Sequence, residues 1–342
     1  MNEQKTEILS PAYPNNNIPV VFSTDDKYYL FLSVALHGLK VHSADTRNYD
    51  IIILEEHLND NHKETLLSII KEKKNFSIRF INMTKYLTEL GEDLFQEKMH
   101  WSRATYYRLC LPKILTGYEK IIYLDADLII LTDIGDLFSI DIHDFLIGCI
   151  LDPLVLSRTY LKYLKTEHLF TQPYFNAGVL LINFKKFCKH NIMAQSLEIL
   201  QSHSSFKSVD QDVLNIVCQG KIKLLDIGWN YSNYWLPEFS KSHTPYSTIF
   251  RKAYFSHEYD AKILHCIIKP WTRPDAKFAD LWWTYAEELP FIDQIRKTAI
   301  PYMKREFQNQ QKKYDALINS TTWKLTGPLR FLFNIIKSIK SK

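Results

Sequence analysis

The sequence predicts an α/β fold, with a mostly parallel central sheet that carries helices on both faces. Short, almost entirely apolar runs at residues 20–22, 51–54 and 177–182 have the length and composition of buried strands. Segments whose apolar residues recur at helical spacing separate these runs, and strands that alternate with helices form mostly parallel, covered sheets. The chain has 342 residues, of which 46% are hydrophobic, and this is enough for one large domain with an appendage.

The individual elements are predicted in chain order from the same patterns. Strands are expected at residues 20–22, 51–54, 76–81, 120–124, 128–131 and 177–182. Helices are expected at residues 30–39, 58–71, 105–111 and 209–217. Because ligand sites in open α/β sheets lie beyond the carboxyl ends of the strands, polar residues that follow these strands are candidates for chemistry.

Composition divides the chain into three parts. Residues 1–17 form a polar leader without the apolar core of a signal peptide, residues 18–290 form the α/β domain, and residues 291–342 form a basic and apolar tail. No apolar run reaches the roughly 18–20 residues that span a bilayer. We therefore expect a cytoplasmic protein.

The end of the tail has the pattern of an amphipathic helix. Its apolar residues fall near one helical face, namely Leu329, Leu332, Phe333, Ile336 and Ile339, and basic residues accompany them. We expect this segment to lie on the anionic inner face of the cell membrane. The alternative is that it docks on the folded body.

Charge, cysteines and glycines exclude several classes of protein. The near balance of 42 basic and 38 acidic residues argues against nucleic acid as the principal partner. The five cysteines lie far apart, without a C-x-x-C pair, which fits reduced thiols better than disulfides or a zinc knuckle. The nine glycines form neither a G-x-G-x-x-G nor a Walker loop, so dinucleotide enzymes and P-loop kinases are not supported.

Two carboxylates, Asp125 and Asp127, follow the predicted strand at residues 120–124. Carboxylates one residue apart at a strand end can bind a hard divalent cation and leave coordination positions for phosphate oxygens. A solvated turn is the alternative, since short acidic pairs are common. The buried strand that precedes the pair favours a metal site that neutralises a diphosphate.

A second polar group follows the first predicted strand. Asp25 can accept hydrogen bonds from a base or a ribose, and the ring of Tyr28 can stack on a pyrimidine. Alternatively, Thr24 or Asp25 caps the helix that comes next.

Taken together, the motifs resemble glycosyltransferase family eight, the retaining enzymes that include bacterial lipopolysaccharide galactosyl- and glucosyltransferases and glycogenin. The resemblance extends from residue 18 to residue 283 and depends on six blocks in family order. These blocks are V-V-F-S-T-D-D-K-Y at residues 20–28, A-T-Y-Y-R-L at 104–109, Y-L-D-A-D at 123–127, F-N-A-G-V-L-L-I-N at 175–183, D-Q-D-V-L-N at 210–215 and H-C-I-I-K-P-W at 265–271.

The resemblance implies a GT-A fold, a UDP-sugar donor and a Mn²⁺ or Mg²⁺ cofactor. By position, the metal ligands would be Asp125, Asp127 and His265. The residues that bind the donor would be Ser23, Thr24, Asp25, Tyr28, Arg108, Asp125, Ala126, Asp127, Asn176, Asp210, Gln211 and Lys269. Within this set Tyr28 would lie against the uracil and Lys269 would bind the diphosphate. Asn176, Asp210 and Gln211 would be the catalytic residues.

Without the resemblance, each of these residues has a structural interpretation. Arg108 could be a surface cation, Asn176 a turn residue, Asp210 a helix N-cap and His265 a hydrogen-bonded core residue. One feature departs from the family pattern: only three residues, none of them glycine, separate His265 from Lys269. We expect Lys269 to reach the diphosphate nonetheless.

The implied activity is transfer of a hexose, galactose or glucose, from a UDP-sugar to a bacterial surface glycan such as lipopolysaccharide, with retention of configuration. The residue nearest the anomeric carbon would be Gln211, a poor nucleophile, so front-face attack fits better than double displacement, but the sequence leaves both open. One alternative function is a degenerate protein that only binds nucleotide-sugar or glycan. The other is a haloacid-dehalogenase-type phosphohydrolase, whose motif normally has Thr or Val where this chain has Ile129.

Overall fold

The computed structural model describes residues 8–95, 102–166, 173–202, 206–234, 247–256 and 260–320. The strands are β1 (Asn17–Asp25), β2 (Asn48–Glu56), β3 (Phe76–Asn82), β4 (Ile121–Leu124), β5 (Leu128–Ile130), β6 (Ile147–Leu151), β7 (Phe175–Ile182), β8 (Ile222–Leu224), β9 (Tyr231–Ser232) and β10 (Ile263–His265). The α-helices are α1 (Tyr29–Val41), α2 (Asp60–Ile70), α3 (Thr84–Leu90), α4 (Leu111–Ile114), α5 (Ile134–Ser139), α6 (Arg158–Thr166), α7 (Phe184–Lys189), α8 (Ile192–Ser202), α9 (Val209–Val217), α10 (Ser247–Ser256), α11 (Ala279–Glu287) and α12 (Ile292–Asn319). Short 3₁₀ helices span Glu92–Phe95, Arg103–Cys110, Pro153–Leu156 and Ile227–Asn230.

A seven-stranded sheet in the order β3-β2-β1-β4-β7-β6-β8 forms the centre of the molecule. Strand β1 runs parallel to β2 and β4, and β2 runs parallel to β3. Strand β7 is antiparallel to both of its neighbours, β4 and β6, whereas β6 and β8 are parallel. The strands are apolar because both faces are covered, and all eight residues of β7 are buried. The predicted α/β fold with a mostly parallel sheet is confirmed.

A smaller sheet, in the order β5-β10-β9, brings distant parts of the chain to the end of β4. Strand β10 is antiparallel to β5, with His265 opposite Leu128, and the Cys266 amide donates to the Asp127 carbonyl over 2.9 Å. Helix α1 packs closely on this sheet at Gly38. A Cβ at this position would lie only 2.7 Å from the Ile130 carbonyl oxygen, so the absence of a side chain permits the close approach. The small sheet therefore fixes the position of His265 relative to the paired carboxylates.

Most of the predicted helices and strands are present, and two of them need further description. The helix expected at residues 105–111 is a 3₁₀ helix, Arg103–Cys110, and the α-helix that follows it begins only at Leu111, with Pro112 in its first turn. The strand expected at 128–131 is present as β5, and it belongs to the small sheet. The helix expected at 209–217 coincides with α9.

Both ends of the described chain contact the body. Leu9 forms a bridge with Leu115, and the Ala12 amide donates to the buried Asp50 carboxylate over 3.0 Å. Helix α12 buries Ile295 and Ala299. The domain boundary at residue 290 and the leader at 1–17 stay predictions.

The remaining sequence predictions concern thiols and membranes. All five cysteines are free, as expected for reduced thiols. Among the helices that the structure describes, none combines the length and the apolarity needed to cross a bilayer. The amphipathic segment near the C-terminus lies outside the described residues.

Candidate active site

Asp125, Asp127 and His265 form a compact cluster at the carboxyl end of β4. One ligand atom from each residue lies within 4.8 Å of the other two. The His265 Nε2 atom is 3.4 Å from Asp127 Oδ1 and 3.9 Å from Asp125 Oδ2. Two carboxylates and an imidazole are suitable ligands for a divalent transition metal or for Mg²⁺, and the Asp125 side chain, which is 25% exposed, can be reached from solvent. The cluster can therefore hold a metal ion.

Gly178, in the middle of β7, provides the space for this cluster. Its carbonyl accepts a 2.8 Å hydrogen bond from the Asp125 amide. A Cβ at this position would lie 2.3 Å from His265 Cε1 and 2.8 Å from Asp125 Oδ2. Gly178 is not among the site residues predicted from the sequence, although an isolated glycine inside an apolar strand is a known signal of close approach.

Arg108 is buried at the centre of the site, so its interpretation as a surface cation is wrong. The 3₁₀ helix Arg103–Cys110 directs it inward, over the ring of Tyr123 at 4.2 Å. Its Nη2 atom donates to Asp125 Oδ1 over 2.7 Å, and its Nε atom lies 2.9 Å from Asp210 Oδ2. One guanidinium thus connects the Asp125, Asp127 and His265 cluster to the acidic residue that begins the D-Q-D motif.

Asp210 lies in the first turn of α9 and is buried. The N-cap of that helix is Ser208, so the interpretation of Asp210 as the cap is wrong. Asp210 Oδ1 accepts from the Thr105 hydroxyl over 2.9 Å. Burial raises the pKa of Asp210 to about 6, with Asp125 adding to the rise and Arg108 opposing it.

Gln211 and Asn176 converge on a third carboxylate, Asp152. Gln211 Nε2 donates to Asp152 Oδ2 over 2.9 Å, and Asn176 Nδ2 donates to the same oxygen over 3.0 Å. Asn176 lies within β7 and not in a turn. Asp152, which directly follows β6, was missed, although it carries the same signal as Asp125: a carboxylate after an apolar strand.

The end of β1 forms the other side of the site. Asp25 Oδ1 accepts from the amides of Lys27 and Tyr28, over 2.9 and 3.0 Å, so Asp25 stabilises the turn before α1. Ser23 accepts from the Tyr123 hydroxyl over 3.0 Å. Thr24 is 1% exposed and Ala126 is 8% exposed, so both have little surface to offer a ligand.

The ring of Tyr28 is held edge-on by two aromatic side chains. Its centroid lies 5.6 Å from that of Phe31 and 5.7 Å from that of Trp271. Burial raises the pKa of Tyr28 to about 12, which keeps the hydroxyl protonated. The ring is thus rigidly placed beside the end of β1.

Lys269 reaches the candidate metal ligands from the short segment after β10. Its Nζ atom donates to Asp127 Oδ2. Asn233 holds this segment, because its Oδ1 accepts from the Ile268 amide over 2.9 Å and its Nδ2 donates to the Ile268 carbonyl over 2.8 Å. The buried amide of Asn233 therefore fixes the backbone in front of Lys269.

Comparison with known proteins identifies the family of the chain. The sequence model of glycosyl transferase family 8 matches residues 19–274, well over half of the chain. The chain belongs to glycosyltransferase family 8. The family resemblance inferred from the six sequence blocks is confirmed.

Several curated proteins are similar to this family 8 chain. A putative glycosyltransferase of Haemophilus influenzae is 29% identical over 215 residues, which cover 62% of this chain and 63% of that protein. General stress protein A of Bacillus subtilis is 24% identical over 262 residues, which cover 74% and 86% of the two chains. A lipopolysaccharide 1,2-glucosyltransferase of Escherichia coli K12 is 24% identical over 216 residues, which cover 62% and 61%. The chain thus spans less than two thirds of the first and third of these proteins.

Solved structures show the same fold. The apo form of the bifunctional glycosyltransferase WbbM superposes with a TM-score of 0.73 at 22% identity, covering 86% of this chain and 53% of that one. The galactosyltransferase LgtC, in complex with donor and acceptor sugar analogues, superposes with a TM-score of 0.65 at 24% identity, covering 80% and 96%. The expected GT-A fold is confirmed.

Proposed function

We propose that this family 8 glycosyltransferase transfers a hexose, galactose or glucose, from a UDP-hexose to a bacterial surface glycan, with retention of configuration. The observation that supports it most is the Asp125, Asp127 and His265 cluster with Lys269 against it, since this set of residues suits a metal-bound diphosphate. The names of a lipopolysaccharide glucosyltransferase and a galactosyltransferase among the similar proteins agree with a hexose and a glycan acceptor.

In this proposal, Asp125, Asp127 and His265 hold Mn²⁺ or Mg²⁺. When bound, such an ion neutralises charge on a diphosphate leaving group as a Lewis acid. Lys269 supplies a second positive charge at the same place, where charge develops as the anomeric bond breaks. Tyr28 offers its ring to the uracil, and Asp25, with Ser23 beside it, lies on the ribose side. The buried Thr24 and Ala126 would act by holding the backbone of the two strand ends in place.

The residues on the other side of the cluster would bind the donor sugar. Arg108 has five N–H groups, and its contacts with Asp125, Asp210 and two backbone carbonyls, those of Thr105 and Ala177, hold the guanidinium in one orientation. Gln211 is similarly fixed, since its Oε1 accepts from the Ala177 amide over 3.0 Å. Groups held in this way can position sugar hydroxyls without reorganisation during the reaction.

Retention is proposed with front-face attack by the acceptor. An amide oxygen such as that of Gln211 is a weak nucleophile, which disfavours a covalent intermediate on this residue. Its two amide hydrogens bond to Asp152 and to the Tyr174 hydroxyl, which supports a role in positioning rather than in bond formation. In the front-face route the departing phosphate accepts the proton of the acceptor hydroxyl.

The deciding experiment is to incubate the purified chain with UDP-galactose or UDP-glucose, with Mn²⁺ or EDTA, and to measure released UDP. We expect slow, Mn²⁺-dependent hydrolysis of one donor, and faster release once a suitable glycan acceptor is added. Binding of UDP-hexose without hydrolysis or transfer to any glycan would favour the degenerate binding protein. Hydrolysis of an aryl phosphate without UDP-hexose turnover would favour the phosphohydrolase.

Contact with the membrane is a separate part of the proposal. It depends on the basic and apolar sequence after residue 320, where each cation near an anionic lipid surface contributes about 1 kcal/mol. Truncation after Tyr314 should release the protein from anionic vesicles and leave donor hydrolysis unchanged. Equal vesicle binding by both forms would contradict this part alone.

A further inference from the structure

A continuous run of side-chain amides leads from β7 to the imidazole of His265. Asn176 Oδ1 accepts from the Gly178 backbone amide over 2.9 Å. A backbone N–H can only donate, so this contact fixes which end of the Asn176 amide is oxygen. The nitrogen end then faces Asp152, as observed.

The orientation of the next amide follows from the first. Asn230 Nδ2 lies 2.8 Å from Asn176 Oδ1, and a carbonyl oxygen can only accept, so Asn230 must donate there. Asn230 Oδ1 then faces His265 Nδ1 at 2.9 Å. Since Asn230 Oδ1 can only accept, His265 must carry a proton on Nδ1.

This protonation pattern leaves the other ring nitrogen as the acceptor or ligand atom. In a neutral imidazole with its proton on Nδ1, the Nε2 atom has a free lone pair, and it is the Nε2 atom that faces Asp127 and Asp125. The partner of the second ring nitrogen commonly sets the orientation and basicity of a metal-ligating histidine. Asn230 and His265 are 5% and 4% exposed, so water has little access to replace the contact.

We propose that Asn230 is a positioning residue that selects the Nδ1-protonated tautomer of His265 and so directs Nε2 to the metal. The hydrogen bond from the Gly178 amide fixes the orientation of Asn176, one of the residues expected from the sequence to bind the donor, and Asn176 in turn orients Asn230. Asp152 links the same relay to Gln211, because one oxygen of Asp152 accepts from both Asn176 and Gln211. The metal ligand and the sugar-binding amides therefore share one hydrogen-bond network, and this inference rests on the metal site proposed above.

The test uses the full chain treated with EDTA and labelled with ¹⁵N-histidine, at a pH at which the imidazole is neutral, because the imidazolium form carries a proton on both nitrogens. Under this condition the nitrogen chemical shifts report the tautomer. The His265 signals are assigned by their loss in His265→Gln. We expect wild type to have the Nδ1-protonated form, and Asn230→Leu and Asn230→Ala to have the Nε2-protonated form or a mixture. Titration calorimetry with Mn²⁺ alone should show about 10- to 100-fold weaker binding in both variants, the usual effect of losing such a partner.

Two further variants separate tautomer selection from general damage. Asn230→Asp keeps an acceptor for Nδ1–H, so it should retain the wild-type tautomer, although a carboxylate cannot donate to Asn176 Oδ1 and the link to Asn176 is lost. Asn233→Leu removes another buried amide near β10 that contacts backbone rather than the His265 ring, so the tautomer should not change. Circular dichroism checks that each variant folds.

Either of two tautomer results would overturn the inference: an unchanged His265 tautomer in Asn230→Leu and Asn230→Ala, or the same tautomer change in Asn233→Leu. Wild-type Mn²⁺ affinity in both Asn230 variants would also overturn it, while leaving the metal site intact. If wild type itself bound no Mn²⁺, with or without UDP, the proposed metal site would fail and the role of Asn230 with it.

Discussion

Lys269 and Asp127, 142 residues apart in sequence, are joined by a hydrogen bond from Nζ to Oδ2. Burial alone would raise the pKa of Asp127, but Lys269 and then His265 outweigh it and hold the pKa well below its usual range. Antiparallel pairing of β10 with β5 creates this proximity, because it places His265 opposite Leu128. A cation and a potential metal ligand therefore meet where a diphosphate would bind.

Replacing Lys269 by Met should weaken UDP binding about 10- to 100-fold, as expected for the loss of a charge-assisted hydrogen bond. Calorimetry with UDP and saturating Mn²⁺ measures the change. Lys262→Met is a suitable control, because Lys262 pairs with Asp226 at the surface, 3.2 Å away, and should not affect UDP. Equal UDP affinity in wild type and Lys269→Met would place the diphosphate elsewhere.

Asp127→Asn should abolish metal binding and metal-dependent turnover and leave the fold intact. The substitution removes an anionic ligand with little change in shape, so we expect Mn²⁺ affinity to fall by about a hundredfold or more. This loss should be at least as large as the loss caused by removing a residue that only supports a metal ligand. Calorimetry with Mn²⁺ and thermal unfolding measure the two properties. Asp136→Asn, which changes an exposed carboxylate away from the site, is the control. Wild-type activity that persists in EDTA would contradict a role for the metal.

The sequence predicted the parts of the site that have a local signal. Asp125 and Asp127 follow an apolar strand, and the end of β1 is polar, so their place at the edge of a parallel sheet could be inferred. The insertion of antiparallel β7 between β4 and β6 has no comparable signal. The sequence also could not predict which groups meet across that strand.

Asn230 and Arg108 illustrate what local pattern cannot supply. Asn230 contacts Asn176, which is 54 residues away, through the register of two separate segments. Arg108 lies in a 3₁₀ helix, and only the position of that helix against β1 and α9 decides whether its guanidinium is buried. Both contacts follow from tertiary packing. For Arg108, the family resemblance predicted a place in the active site, whereas its residue type alone predicted a place on the surface.

Gly178→Ala should weaken metal binding about tenfold or more, because the added methyl group would overlap His265 and Asp125. Mn²⁺ calorimetry measures the effect, and denaturant unfolding measures any accompanying loss of stability. Gly148→Ala is the matched control within the same sheet, since its Cβ would come no closer than 3.1 Å to the flexible Leu225 side chain. If both alanine variants bound Mn²⁺ as wild type does, the ligands could not be arranged as described.

Ile295→Ala should destabilise the protein by about 2–5 kcal/mol, the usual cost of truncating a fully buried isoleucine. This residue lies beyond the domain boundary predicted at residue 290, so the loss would show that the first half of α12 belongs to the folded body. Leu317→Ala, on the exposed half of the same helix at 51% exposure, should cost less than about 0.5 kcal/mol. Urea unfolding measures both, and equal small effects would support the boundary at 290.

Asp210 should make stability depend on pH between about 4 and 6. Burial, with a smaller contribution from Asp125, raises its native pKa to about 6, whereas in the unfolded chain it titrates near its ordinary value of 3.8. Within this window the native state keeps a proton that the unfolded state has lost, so the contribution of Asp210 to the free energy of unfolding falls as pH rises. The full change is on the order of 3 kcal/mol.

Asp210→Asn cannot titrate, so the stability of the variant relative to wild type should improve from pH 4 to pH 7, as measured by urea unfolding at each pH. The absolute offset between the two proteins includes the lost contact with Arg108 and is not diagnostic; a difference that does not vary with pH would show that folding does not raise the pKa of Asp210.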